Sequence, residues 1–572
     1  MKGIIAAPGM ALAPAHIVTQ PEIIVQKHVI SDISEELERF RGAADICYSK
    51  IESIIEGMDG SVDPQTADIL DFQLLLLEDT DFIGNMARII SGDSVNAEYA
   101  VKSASDEYIS KLENMTDNDY LRERAADISD LSQRLVGALS GIDMEIAEPE
   151  DPYIAIGLDI APSLIAGLDK SKLKGIVLEK GGVTSHCVIL SRSLGIPCLI
   201  KTSGVLEKVK TGDIVLLDAV SGETVPYPDD AQIAAYDEYI AGKAEEEARL
   251  STYASRASRS LDGAEMKVYA NMTMSAEAES VVLQGGEGVG LFRSELLFMA
   301  HPNRPPSEES QYAEYSKAAA VLGSLPLIIR TLDVGGDKQI SYLEIGEEDN
   351  PFLGYRAIRY CLGHPEIFMP QISAILRAGA VGNVWMMFPM ISNMAELLEA
   401  RCIVEQVKAG LKSGNLPFDP DMKIGMMIET PAAAADAVMF AKEADFFSIG
   451  TNDLSQYLFA ADRANAMVTD LNSPFQPTLL RVIKTICDAA HEEGIEVDIC
   501  GQAAEVETLL PVWLAMGVDN LSVSIPRITA VRRRICSLNK SDCIRLLDTI
   551  LGFKTADEVI LALEDFAERI IL

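Results

Sequence analysis

From Ser31 the chain repeats apolar residues at three- and four-residue spacing. SDISEELERFRGAADICYSKIESII (31–55) therefore reads as an amphipathic helix, with Asp32 and Glu35 spaced as in a capping box. ADILDFQLLLLED (67–79), VNAEYAVKSASDEYISKLENM (95–115) and YLRERAADISDLSQRLVGAL (120–139) carry the same period. The stretch 25–142 is predicted as an all-helical block of antiparallel helices with short connections. Residues 1–20, rich in small residues and Pro, hold one possible strand. Near Pro149 the pattern shortens to buried runs: YIAIGLDI, GIVLEKGG, CLIKTSG and DIVLLDA read as strands between turns. DDAQIAAYDEYIAGKAEEEARLSTYASR (229–256) is charged, has few large apolar residues, and is expected as a solvent-exposed linker helix.

Beyond about residue 263, eight β-like runs alternate with helical stretches. They are 267–272, 288–293, 326–332, 383–390, 423–430, 446–453, 495–502 and 520–525. Eight strand–helix units in one half of the chain predict a closed (β/α)8 barrel, with an open doubly wound sheet as the runner-up. Polar residues gather at the C-terminal ends of these runs, which favours the barrel. Arg293 ends the second, Arg330 and Asp333 the third, Glu429 the fifth, Asn452 and Asp453 the sixth, and Cys500 and Gln502 the seventh. A closed barrel brings them to one mouth. Arg293, Arg330, Arg356 and Arg463 offer forked donors for phosphate and carboxylate. Glu429 and Asp453 offer hard oxygens suited to Mg²⁺. A small phosphorylated acid with Mg²⁺ fits that set. Cys500 is read either as a buried inert thiol or as a general acid toward a carbanion-like product.

Charge narrows the picture further. The 48 Lys+Arg against 87 Asp+Glu leave a net charge of −39. That excludes a general nucleic-acid binder and opposes docking on anionic membranes, while a partner with a basic patch would be attracted. No apolar run reaches the length of a membrane span, and the start lacks the continuous apolar core of a signal peptide. Nine scattered cysteines without a C-x-x-C point to thiols in a reducing cytoplasm.

A second centre lies in EKGGVTSHCVILSRSLGIPCLI (179–200). Gly181 and Gly182 permit a tight turn, Thr184 or Ser185 can cap the next helix, and Val188, Ile189 and Leu190 face inward. His186 is thus placed on the first turn of a helix, where free N–H groups could stabilise a phosphoryl group.

These residues carry a resemblance. GGVTSHCVILSRSLGIP, GVGLFRSELLFM, IIRTLDVGGDK, NPFLGYRAIR, IETPAAA, FFSIGTNDLSQYLFAADRAN and DICGQAA, in this order, resemble the enzyme I family of the phosphoenolpyruvate (PEP)-dependent sugar phosphotransferase system. The resemblance implies a PEP-binding barrel and an α/β phosphohistidine (swivelling) domain with an inserted helical subdomain. It implies that PEP is held by Arg293, Arg330, Asn452 and Arg463, near Asp453 and Arg356, and Mg²⁺ by Glu429 and Asp453. His186 would attack through Nε2, Cys500 would protonate the enolate of pyruvate, and the phosphoryl group would pass to a histidine of the small carrier protein HPr. It further implies a homodimer through the barrel. The expected division is 1–24 and 143–228 for the phosphohistidine domain, 25–142 for carrier binding, 229–262 for a hinge, and 263–572 for the barrel. The sequence departs from the family pattern at Val183 (usually Arg), Ser191, Gln502 (usually Glu) and Lys201 (usually Gly). Those changes motivate one alternative, a PEP-sensing regulatory protein with little phosphotransfer. A pyruvate phosphate dikinase or PEP synthase shares the TSH motif but needs a large nucleotide-binding domain for ATP, whereas the 185 residues before His186 read as mostly helical and without a Gly-rich phosphate loop.

Overall fold

The computed structural model describes the chain except residues 19–22, 57–63, 114–118, 143–147, 161–167, 170, 182–185, 194, 302–303, 337–339, 344, 347, 464, 466 and 572. The chain divides into two compact units, Met1–Ala244 and Glu245–Leu572.

The first unit is built on a seven-stranded mixed sheet. Its strands are β1 (Ile4–Ala7), β2 (Met10–Val18), β3 (Tyr153–Gly157), β4 (Leu173–Leu178), β5 (Cys198–Ile200), β6 (Ile214–Asp218) and β7 (Glu223–Pro226), ordered β1-β5-β4-β3-β2-β6-β7. The single strand expected at the front is two, parted at Pro8 and Gly9, where Gly9 takes φ +143°. β7 was not anticipated, because ETVP is too short and too polar to carry a period. β3 and β4 are buried at nearly every position, as parallel strands covered on both faces should be. Lys201, just past β5, sits at φ +56°, a left-handed conformation that favours glycine.

The helical block is inserted between the paired strands β2 and β3. It comprises α1 (Ile33–Glu56), α2 (Pro64–Glu78), α3 (Thr80–Asp93), α4 (Ala97–Glu113) and α5 (Asp119–Ser140). The Asp32 carboxylate accepts the N–H of Ser34 and Glu35 at 2.9 and 3.1 Å, which caps α1 as its spacing suggested. The division at Asp79 into α2 and α3 was not legible from period alone. There the Asp79 carboxylate accepts the N–H of Asp81 and Phe82, both at 2.7 Å, and starts a new helix. Phe40, Ile51, Leu70, Met86, Ile90 and Leu131 form the block's core. Arg39 ties three helices: its guanidinium donates to Glu36, to Glu98 and to the Leu139 carbonyl. α6 (His186–Ser193) follows β4, and α7 (Asp230–Ser251) follows β7. None of α7 is buried, in keeping with its charged, apolar-poor sequence.

The second unit is a closed parallel barrel. Its strands are β8 (Lys267–Met272), β9 (Val289–Arg293), β10 (Leu327–Arg330), β11 (Val384–Phe388), β12 (Ile424–Ile428), β13 (Phe446–Gly450), β14 (Glu496–Cys500) and β15 (Asn520–Val523). All eight predicted runs are strands, and the open-sheet alternative falls because β15 pairs with β8. The interior is packed by Leu291, Ile328, Trp385, Met387, Met427 and Phe446 beneath Cys500. One correction bears on the site. Asn452 and Asp453 do not end a strand: β13 stops at Gly450, and both lie in the first turn of α8 (Thr451–Phe459). Asn and Asp are poor strand formers, and Thr, Asn and Asp all suit a helix start.

Candidate active site

The barrel residues lie at the C-terminal ends of the strands or in the segments that follow them. Arg293 and Arg330 are the last residues of β9 and β10 and stand in register. Arg356 follows in the loop beyond β10, Glu429 is one residue past β12, Arg463 lies just after α8, and Cys500 closes β14. All of these, with Asn452 and Asp453, line one cavity of about 1030 Å³. Gly501 turns the chain away from Cys500 at φ +92°. A Cβ there would lie 2.7 Å from Thr451 Oγ1 and 3.1 Å from Asn452 Oδ1, so no larger residue fits. The Gln502 N–H donates to Asn452 Oδ1 at 3.1 Å while the residue itself stays exposed.

The floor of the cavity is a lattice of buried charges. The Arg330 guanidinium pairs with Glu295 and, at 3.0 Å, with Asp333. Arg356 binds Asp333 at 2.8 Å and Asp453 at 3.4 Å, and donates to the Tyr457 hydroxyl at 3.1 Å. Asp333 therefore bridges the two arginines. Arg463 reaches Asp453 from the rim at 3.2 Å. Arg293 is exposed, and among the described residues it has no carboxylate partner. Burial alone would lower the pKa of Arg330 and Arg356. The surrounding carboxylates outweigh it and raise both, so both stay charged.

Acid exceeds base in this lattice. Four buried carboxyl groups (Glu295, Asp333, Glu429, Asp453) face two buried guanidinium groups (Arg330, Arg356). Glu429 shows the consequence: burial, then Asp453 and Asp333, push its carboxyl up to about 8, against the pull of Arg330 and Arg356. Its Oε1 accepts the Met390 N–H at 2.7 Å. Glu429 and Asp453, set in this excess of acid, suit a divalent cation whose remaining ligands come from substrate and water. Among the described residues no group of three or more His, Cys, Asp or Glu could enclose a metal by itself. The donor set thus fits an ion shared with a ligand. Arg330 Nε and Arg356 Nε are buried and without hydrogen-bond partners among the described residues.

Cys500 is a protonated thiol. Burial first, and then Asp498, push it up to about 12. It donates to the Ile449 carbonyl at 3.6 Å. A group of that pKa at a cavity wall can give a proton at neutral pH and does not linger as a thiolate.

Sequence reasoning missed Glu295, the partner that holds Arg330. Its signal was an acid two residues after Arg293 inside the apolar run GLFRSELLFM. Asp333 was placed at its strand end without a role.

His186 belongs to the first unit and opens α6. Gly181 precedes it at φ +103°, the turn its glycine predicted. The expected cap at Thr184 or Ser185, Val183, and the inward placement of Ile189 and Leu190 lie outside the described residues or side chains. α6 is anchored on the sheet by Cys187 and Val188, both buried. The Arg192 Nε–H donates to the Ala6 carbonyl of β1 at 2.6 Å, and the Ser191 hydroxyl donates to the Cys187 carbonyl at 2.7 Å.

Three family models match in order along the chain: PEP-utilising enzyme, N-terminal (residues 2–124), the mobile domain (149–222) and the PEP-binding domain (247–540). The phosphoenolpyruvate-protein phosphotransferase of Listeria monocytogenes is 38% identical over 567 residues, covering 99% of each chain. That of Staphylococcus carnosus is 37% identical over 572 residues, covering 100% of this chain and 99% of its own. With similarity spanning both units, the chain belongs to the phosphoenolpyruvate-protein phosphotransferase family.

Proposed function

We propose that the protein takes the phosphoryl group of PEP onto His186 and delivers it to a histidine on an HPr-like carrier, the first step of phosphotransferase sugar uptake. The observation that carries the reading is the barrel mouth: arginines, a carboxylate pair and a protonated thiol converge on one cavity. Arg293 and Arg463 at the rim, with Arg330 and Asn452 deeper, bind the phosphate and carboxylate of PEP and align it. Arg356 holds Asp333 and Asp453 in place. Glu429 and Asp453 would hold Mg²⁺, which would supply positive charge to the substrate's anionic groups.

His186 in its neutral form attacks phosphorus through Nε2. The N–P bond forms as the bridging P–O bond breaks, and its electron pair passes into the enolate of pyruvate. The Cys500 S–H bond then breaks, giving its proton to C3 of the enolate and leaving a thiolate. Alignment and charge stabilisation do most of the work in such transfers. The helical block within 25–142 receives the carrier, and 229–262, with the exposed α7, provides the hinge between the phosphohistidine domain (1–24 and 143–228) and the barrel (263–572). The nine free thiols suit a cytoplasmic enzyme. No helix among the described residues is long and apolar enough to cross a membrane. Two barrels pair to form the homodimer.

The test is incubation of the protein with PEP and Mg²⁺ without any carrier. About one pyruvate per site, with acid-labile phosphate mapped to His186 and absent from His186→Ala, is the expected result. PEP binding without label on His186 overturns the reading in favour of a PEP sensor.

A further inference from the structure

Beneath Cys500 the barrel seals in a carboxyl group that phosphoryl transfer does not use. Asp498 lies two residues earlier on β14, on the same face of the strand as Cys500, and is 1% exposed. Ser448 of β13, its register partner, donates Oγ–H to Asp498 Oδ2 at 2.9 Å and lies 3.3 Å from Cys500 Sγ. Ser522 of β15 donates to Asp498 Oδ1 at 2.9 Å and to Oδ2 at 3.0 Å. The Ser448 hydroxyl therefore stands between a carboxyl and a thiol, with one hydrogen to give to either.

An ionisable group in an apolar barrel interior is a stability cost that an asparagine would avoid while still accepting from both serines. We infer that Asp498 stores a proton which Ser448 relays to the Cys500 thiolate after Cys500 has protonated the enolate, so that Asp498 and Ser448 act as positioning residues for proton transfer. This rests on the phosphotransfer reading above. In the relay the Asp498 O–H bond breaks as a new Ser448 O–H bond forms, and the original Ser448 proton moves to Sγ. The products are a neutral Cys500 thiol, an unchanged serine and an Asp498 carboxylate. The carboxylate recovers its proton from water by the reverse path once the mouth empties, since Cys500 lines the cavity.

The surrounding groups favour this direction. Burial pushes Asp498 up to about 7 despite its two hydroxyl donors, with Glu496 on the same strand adding to the rise. Tyr269 of β8 also faces Asp498 and Glu496. Glu429 and Arg330 face Cys500 with opposite effects on its thiol. A thiolate whose conjugate acid is near 12 draws the proton from such a carboxyl. The relay thus exchanges the Cys500 hydron with Asp498 while pyruvate is still bound.

The test uses the full chain with PEP, ¹³C-labelled pyruvate and Mg²⁺ in D₂O. It measures deuterium entering C3 for each carbon exchanged between the two pools. This ratio reads hydron scrambling at Cys500 separately from overall rate, so a merely structural defect does not move it. Asp498→Asn is close in shape to the native residue, and Ser448→Ala keeps the carboxyl but cuts the path. The ratio is expected to fall in both variants, and to change with pH near 7 in the wild type but not in Asp498→Asn. A wild type that exchanges carbon, with both variants washing in as much deuterium at every pH, overturns the relay alone. A wild type that exchanges no carbon overturns the relay and the phosphotransfer reading together.

Discussion

Glu429 at the barrel mouth and Glu98 in the helical block each face arginine, yet their carboxyl groups shift in opposite directions. Burial pushes both upward. For Glu98 the hydrogen bonds from Arg39 and Asn96, with its own backbone, outweigh burial and bring it down to about 2. For Glu429 deeper burial joins the repulsion of Asp453 and Asp333, and it rises to about 8 despite Arg330 and Arg356. In the helical block Glu36 and Glu98 share Arg39, but the three side chains stay partly open to water and the guanidinium donates directly to both carboxylates, so the excess acid is stabilised there. The mouth concentrates acid beyond what its arginines neutralise, and it keeps that unfavourable arrangement for a ligand to complete. The difference separates a region built for stability from one built for chemistry.

The largest expected effect comes from breaking the mouth's lattice. Arg356→Met takes from Asp333 and Asp453 the partner they share in a buried site, leaving only Arg330 on one and Arg463 on the other, which should cost about 3–5 kcal/mol. Both tryptophans of the chain, Trp385 and Trp513, are in the barrel. Denaturation followed by tryptophan fluorescence therefore reads this unit, and an unchanged midpoint would show that the lattice is not under tension.

Next is Asp498→Asn. A carboxyl raised from 3.8 to about 7 in the folded protein contributes fully below pH 4 and loses that contribution as pH climbs through 7. Removing it should leave stability nearly unchanged at pH 4 and raise it by about 2–4 kcal/mol at pH 8, again by tryptophan fluorescence. Arg39→Ala carries the opposite sign. Glu98, depressed in the folded state, stabilises above pH 4.5 and loses that contribution as pH falls toward 2. The variant should cost about 1–2 kcal/mol at pH 7, trimmed by solvent screening, and the cost should shrink in acid. Helical circular dichroism follows it, and a cost that grows in acid would contradict the assignment.

These contrasts also mark what the sequence could disclose. A strand's apolar run and a helix's period are local, so all eight barrel strands and the helical block were legible. The barrel then placed the polar strand ends together, because closure leaves them one mouth. Glu295 and Asp498 were not legible. Their roles depend on which neighbours seal them from water, and that is fixed by packing between segments far apart in the chain. Asp498 stands at an inward position of an apolar strand, and an acid there was the available signal. Asn452 and Asp453 were assigned to a strand because FFSIG runs into TND without a break in apolar texture until Gly450, where the backbone changes direction.

The smallest expected effect tests the region around His186. Lys201 holds φ +56° immediately after β5, and a non-glycine residue in that conformation costs about 1–2 kcal/mol. Lys201→Gly relieves this strain but gives the unfolded chain more freedom, which returns part of the gain. The balance should be a stabilisation of about 0.5–1 kcal/mol, visible in calorimetry and absent from tryptophan fluorescence, since both tryptophans lie in the other unit. A gain seen by both probes would mean that the two units unfold together and that the comparison drawn from their carboxylates must be made on the whole chain. A loss would mean that the lysine side chain makes a contribution larger than the strain it imposes.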